Sequence, residues 1–282
     1  MILVFGKSGQ VATELARQGD VTCLGRDTCD QTTPGAVAAA IAAYNPSVVL
    51  NAAAYTAVDK AEDEEQIATL INAKAVDEMA RACASASIPL IHISTDYVFP
   101  GDSSTPWTPV SKAGPLGAYG RSKLAGEQAI RTSGVTHVIL RTSWVVSAHG
   151  NNFVKTMLRL GADRDALTIV ADQIGGPTPA ADIAAACLSI ARQLQDDPTK
   201  SGTYHFSGAP DVSWAGFARV IFDLAGLGCA VTDIPSSDYP TPAVRPLNSR
   251  MDCHSTFTTF GITRPDWKLG LDGILKDLIH DA

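Results

Sequence analysis

Tyr119 and Lys123 stand four residues apart in the segment Tyr119-Gly120-Arg121-Ser122-Lys123, and Thr95 closes an apolar run some twenty positions upstream. On a helix, side chains four apart share a face, so the lysine ammonium can stand beside the phenol. A free phenol has a pKa of about 10, and a neighbouring cation favours its ionised form. The pair therefore predicts a tyrosine of lowered pKa, able to act as general acid towards a substrate oxygen that the Thr95 hydroxyl holds by a hydrogen bond. Lysine has a second use in such a site, orienting the ribose hydroxyls of a dinucleotide. Six tyrosines and nine lysines in 282 residues would produce about 0.2 such pairs by chance. Position therefore carries the weight: the pair begins a helix after the fourth strand, at the sheet edge where ligands collect.

A second motif supplies that dinucleotide's place. Gly6-Lys7-Ser8-Gly9-Gln10-Val11-Ala12 follows the first apolar run and leads into a helix. Glycine lets the backbone turn tightly and approach a pyrophosphate, whose charge then meets the free N–H groups of the helix start. Position 12 tolerates alanine because it serves helix packing. At the end of the second strand the chain reads Gly25-Arg26-Asp27. Arg26 would clasp a 2′-phosphate and favours NADPH; Asp27 would serve a free ribose and leaves NADH open; Arg26 is equally readable as a solvated surface cation.

These side chains need a scaffold that brings strand ends together. Short apolar runs at residues 2–5, 21–24, 47–51, 90–94 and 138–141 alternate with helical stretches starting near Gln10, Pro34, Asp63 and Tyr119, the pattern of repeated βαβ units. Runs such as Val48-Val49-Leu50 and Leu90-Ile91-His92-Ile93 are apolar on both faces, as parallel strands covered on both sides must be. The expected fold is α/β: a Rossmann-type doubly wound parallel sheet with a smaller, interleaved C-terminal lobe. Residues 1–147 would form the dinucleotide-binding core, to which the chain returns at 179–206 through a helix and a further strand. Residues 148–178 and 207–282, richer in Pro, Gly and Asp, would form the substrate lobe.

Hydrophobic residues at 45% and charged residues at 18% describe an ordered globular chain. A formal net charge of −7 argues against extended nucleic-acid binding, which needs a basic face. The six cysteines form no C-x-x-C pair and no zinc-like group with histidine, so no metal is expected. Apolar stretches fall short of the ~20 residues that cross a bilayer, and with the first strand starting at residue 2 a cytoplasmic protein is expected.

The residues resemble those of the extended short-chain dehydrogenase/reductases, and within them the dTDP-4-dehydrorhamnose reductase family. The Gly6–Val11 turn and Tyr119–Glu127 belong to the wider superfamily. More particular are Thr56-Ala57-Val58-Asp59-Lys60-Ala61-Glu62, Ser94-Thr95-Asp96-Tyr97-Val98-Phe99, Arg141-Thr142-Ser143-Trp144 and Arg245-Pro246-Leu247-Asn248-Ser249. The resemblance covers almost the whole chain and implies reduction by NAD(P)H of the C4 keto group of a nucleotide-activated sugar, with Thr95, Tyr119 and Lys123 as catalytic triad. It implies cofactor contacts from Gly6, Gly9, Gln10, Val11, Asp30, Gln31, Ala52, Ala53 and Tyr55, and substrate contacts from Val58, Asp59, Tyr97, Trp144, Asn152 and Arg245. Arg245 has a fork suited to a diphosphate. Trp144 would line the pocket or serve the core, and Asp59-Lys60 is also readable as an exposed ion pair. A monomer or homodimer is expected. Two other functions fit the same motifs: a nucleotide-sugar epimerase or a reductase for another activated sugar, and a non-catalytic nucleotide-binding module resembling the regulatory β subunit of methionine adenosyltransferase.

Overall fold

The computed structural model describes residues 1–280. Four βα steps and a fifth strand build the first half: β1 (Ile2–Phe5), α1 (Gln10–Gln18), β2 (Val21–Leu24), α2 (Ala36–Tyr44), β3 (Val48–Asn51), α3 (Glu65–Thr69), α4 (Ala75–Ala86), β4 (Leu90–Thr95), α5 (Ala118–Thr132) and β5 (His137–Thr142). A π-helical turn, Leu70–Lys74, joins α3 to α4. The second half contains β6 (Val145–Val146), α6 (Phe153–Asp163), β7 (Ala166–Val170), β8 (Ile174–Gly175), β9 (Thr178–Pro179), α7 (Ala180–Asp196), β10 (Gly202–His205), β11 (Val212–Ser213), α8 (Trp214–Leu224), β12 (Ala230–Ile234), β13 (Asn248–Ser249), α9 (His254–Phe260) and α10 (Trp267–His280).

Six strands form one parallel sheet in the order β10-β5-β4-β3-β1-β2. Alternation within each strand sends Val4, Val48, Leu50, Ile91, Val138 and Leu140 to a face covered by α1 and α7. Leu3, Phe5, Val49, Leu90 and Ile139 go to the opposite face, under α2, α4 and α5. The strand order reverses between β1 and β3, so the turns leaving them diverge and open a crevice at the carboxyl edge, where such sheets bind ligands. The expected strands and helix starts hold to within two residues, and residues 202–205 join the main sheet beside β5. A separate core, with Met157, Phe217, Ile221, Trp267 and Leu271, lies among α6, α8 and α10, next to the parallel pair β7–β12. No helix among the described residues is long and apolar enough to cross a membrane.

Candidate active site

The crevice is a cavity of about 760 Å³ running from the β1–α1 turn to Trp144. At one end the backbone approaches closely. Gly6 has φ +122°, and a Cβ there would stand 3.2 Å from the Ala52 carbonyl carbon and 3.3 Å from the Ala53 nitrogen. Gly9 begins α1 with no side chain capping its first-turn amides, leaving those donors for an anion. Arg26 lines the cavity. Its guanidinium bonds Asp30 at 3.2 Å, whereas Asp27 is turned to Lys7 at 3.3 Å and lies outside the lining.

The buried side-chain atoms Gln31 Oε1, Asp96 Oδ2 and Thr142 Oγ1 have no hydrogen-bond partner among the described residues, and all three residues line this cavity. Buried polar groups are nearly always satisfied, so a polar ligand running the length of the crevice fits these walls. A nicotinamide dinucleotide is such a ligand.

At the other end stand the catalytic candidates. Helix α5 presents Tyr119 and Lys123 to the cavity, and the helix is held tightly. Glu62 Oε1 accepts the Ala118 N–H at 2.9 Å, capping a terminus that Gly117 leaves bare. A Cβ on Gly120 would run into the Tyr97 carbonyl, so only glycine lets the helix lie this close to the Asp96–Val98 turn. Asn72, in the π turn, donates to Ser122 Oγ at 3.0 Å and brackets the Tyr55 main chain. Farther along, the buried Glu127 accepts from Ser94 at 2.6 Å, from Arg141 at 2.7 and 2.8 Å and from Arg131 at 2.7 Å.

The electrostatics correct one expectation. Burial pushes the Tyr119 phenol up to about 12; the Thr95 hydroxyl pulls it down and the Asp96 charge adds to the rise. Burial draws Lys123 down to about 8 against the pull of Glu127. Its ammonium nitrogen faces the Ile93 carbonyl at 2.8 Å and His92 Nε2 at 3.1 Å, so the lysine does not depress the phenol in this state. The Thr95 hydroxyl donates to Asp96 Oδ1 at 3.1 Å and accepts the Tyr97 N–H at 3.2 Å. Asp96, only 2% exposed, is driven up to about 6 by burial, with Ser249 and Thr95 opposing.

Gly6, Gly9, Gln10, Val11, Arg26, Asp30, Gln31, Ala52, Ala53, Val58, Thr95, Tyr97, Tyr119, Lys123 and Trp144 all line the cavity; Tyr55, Asp59, Asn152 and Arg245 do not. The Tyr55 hydroxyl bonds Glu64 at 2.5 Å. Asp59 does not pair with Lys60; its carboxylate takes both Arg245 terminal nitrogens, at 2.7 and 2.8 Å, and the Ala243 N–H at 3.1 Å. Asn152 caps α6 through Lys155 N and donates to Ser147 O at 2.7 Å and Gln10 Oε1 at 3.0 Å. Trp144 sits at φ +49° with one face stacked on Trp214, centroids 3.5 Å apart.

With that geometry in view, a family model described as RmlD substrate binding domain matches residues 1–280. A dTDP-4-dehydrorhamnose reductase of Sinorhizobium fredii is 43% identical over 277 residues, covering 95% of this chain and 94% of its own. The chain belongs to the dTDP-4-dehydrorhamnose reductase family. Another relative in that family, from Salmonella typhimurium, is 40% identical and covers 98% of this chain and 97% of its own. Among solved structures, a family member from Clostridium acetobutylicum superposes with TM-score 0.92 at 35% identity, covering 99% of both chains. A dTDP-4-dehydrorhamnose reductase of Bacillus anthracis in complex with NADP gives 0.90 at 33%, covering 98% of both.

Some site residues of this family member escaped sequence reasoning. His92 lay inside an apolar run and read only as strand. Asn51 ended another run, and Asp96 stood in a quoted segment without a role. Glu62, Asn72 and Glu127 act through contacts to residues 33 to 56 positions away or more locally, which no spacing rule reaches.

Proposed function

We propose that the protein reduces the C4 keto group of dTDP-4-dehydro-L-rhamnose to dTDP-L-rhamnose with NADPH, for which NADH can substitute. The observation that carries this reading is the convergence of Thr95, Tyr119 and Lys123 on the cavity whose far wall is the Gly6–Val11 turn and Arg26.

The nicotinamide, when bound, supplies the hydride. Gly6, Gly9, Gln10 and Val11 would hold its diphosphate, Ala52 and Ala53 the wall beside it, and Arg26, with Asp30 and Gln31 beside it, the ribose end. Asp27 faces Lys7 instead, which supports the phosphorylated cofactor. Tyr119 donates its proton to the sugar oxygen as charge develops there. A phenol held near 12 stays protonated throughout the physiological range, so the donor is always loaded, and an alkoxide is basic enough to take its proton. Thr95, whose hydroxyl stands beside the phenol, would orient that oxygen. Lys123 would turn from His92 to the ribose hydroxyls and place its charge near Tyr119. Val58, Tyr97 and the free face of Trp144 would enclose the sugar. Arg245 would bind the sugar's diphosphate on exchanging Asp59 for it, and Asn152 would act by fixing the loop that carries Asn151.

Residues 1–147 and 179–206 would then be the dinucleotide-binding core, and 148–178 with 207–280 the substrate lobe, residues 281–282 lying outside the described residues. Six free cysteines, five of them buried, support a reducing compartment, the cytoplasm. The test is to supply the 4-keto sugar nucleotide with NADPH, follow the loss of reduced-cofactor absorbance and identify the product sugar by NMR. Stoichiometric loss with formation of the rhamnosyl nucleotide is expected. Conversion without net loss of NADPH would make the protein an epimerase; binding without turnover would make it a regulatory module.

A further inference from the structure

His92 lies in the middle of β4, wholly enclosed, and its ring joins two other buried side chains. Nδ1 is 3.1 Å from Asn51 Nδ2, and Nε2 is 3.1 Å from Lys123 Nζ. The orientation of the Asn51 amide is fixed independently, because the Ala53 main-chain N–H can only donate and meets Asn51 Oδ1 at 3.1 Å. The amide therefore presents its NH2 to the ring, and that group too can only donate. Nδ1 must be the bare, accepting nitrogen. A neutral imidazole then carries its hydrogen on Nε2, aimed at Lys123 Nζ. Two donors cannot satisfy one another, so Nζ must offer a lone pair, which an ammonium lacks and an amine has. Its own hydrogens serve the Ile93 carbonyl at 2.8 Å. An imidazolium fails for the same reason, since it would set Nδ1–H against the Asn51 NH2.

We infer that His92 is a positioning residue that holds Lys123 as the uncharged amine at alkaline pH for as long as the amine faces the ring, so that on that side of neutrality the lysine gains its charge only on leaving the ring. The role assigned to that charge rests on the function proposed above; the protonation state itself does not. Two charged or titratable groups on α5 bear on the amine. Tyr119 is a neutral phenol, and Glu127, although shared by Arg141 and Arg131, pulls towards the ammonium without overcoming burial. Burial lowers both partners, Lys123 to about 8 and His92 well below its ordinary value. Cofactor binding would thus be coupled to uptake of a proton at the pH values where the free amine predominates.

The test uses the whole, ligand-free protein. Long-range 15N NMR of 15N-histidine-labelled protein at pH 10, above the lysine's midpoint, should show His92 with hydrogen on Nε2 and a bare Nδ1; a ring with hydrogen on Nδ1, or a charged ring, overturns the inference. With 13C-labelled lysine, the Lys123 signal should titrate near 8. In His92→Gln the amide stands near the position of Nε2 and can turn its oxygen to the ammonium, so the midpoint should rise by about one unit, roughly tenfold in proton affinity. An unmoved midpoint in the folded variant refutes the role of His92; should the variant not fold, the tautomer in the native protein decides alone. Neither readout depends on turnover: loss of the sugar-reductase reading with the Nε2–H ring and the raised midpoint intact leaves this inference standing.

Discussion

Replacing Asp96 by Asn isolates what it costs to keep a carboxylate in the site. The folded protein raises this carboxyl from 3.8 to about 6, a little over two units, and at about 1.4 kcal/mol per unit that is about 3 kcal/mol. The residue is 2% exposed, so solvent screening takes little from the figure. A folded-state pKa above the unfolded one means that the native state holds the proton more tightly. The group's stabilising contribution is therefore complete below pH 3.8 and is lost as pH rises through about 6. About 2 kcal/mol of that change falls between pH 4 and pH 8. Asn does not titrate, and its Oδ1 can still accept from Thr95. Urea unfolding of both proteins at the two pH values gives the double difference, in which every other titrating group cancels. The variant should gain about 2 kcal/mol on the wild type between pH 4 and pH 8. A difference constant to within about 0.5 kcal/mol would show that Asp96 is not held ionised against burial, and the argument from its unpartnered oxygen would fall with it.

Tyr119→Phe keeps the ring and removes the proton, so kcat should fall by ~10²-fold or more with cofactor Kd little changed; near-normal turnover would remove Tyr119 as the acid. Arg26→Ala should raise Kd for NADPH by ~10-fold or more and leave NADH nearly unaffected, read by fluorescence titration of each. Equal effects on both would return Arg26 to the status of a surface cation. Glu127→Gln strands Arg141 in the core, and equilibrium unfolding should register a loss of about 3–5 kcal/mol, the range for breaking one side of a buried pair; a loss below about 1 kcal/mol contradicts the network's role in seating α5.

The main strands were readable because burial on both faces leaves an unbroken apolar run, as in Val48-Val49-Leu50, and the glycine turn because its spacing is dictated by backbone geometry alone. Tyr119 and Lys123 were readable for the same kind of reason, since four residues on a helix is a fixed distance. What they touch was not. The lysine's partner is on β4, 31 positions away, and an aliphatic run containing one histidine looks the same whether that ring is core filler or a hydrogen-bonding post. Asp59 illustrates the other limit: its adjacent lysine is the obvious partner on paper, yet its carboxylate is taken by an arginine 186 positions further on. The π turn at Leu70–Lys74 had no signature in composition, because one extra residue in a helix changes hydrogen bonding without changing residue type.

Helix α7 and strand β10 come from the second half of the chain yet complete the first half's sheet. Ile183, Cys187, Ile190 and Leu194 roof the layer formed by Val4, Val48 and Leu50, and β10 shields the edge of β5. A polypeptide halted near residue 150 would therefore expose a greasy surface and an unpaired strand to water, inviting aggregation. On the ribosome, the same dependence delays completion of the sheet until residue 205 has left the exit tunnel.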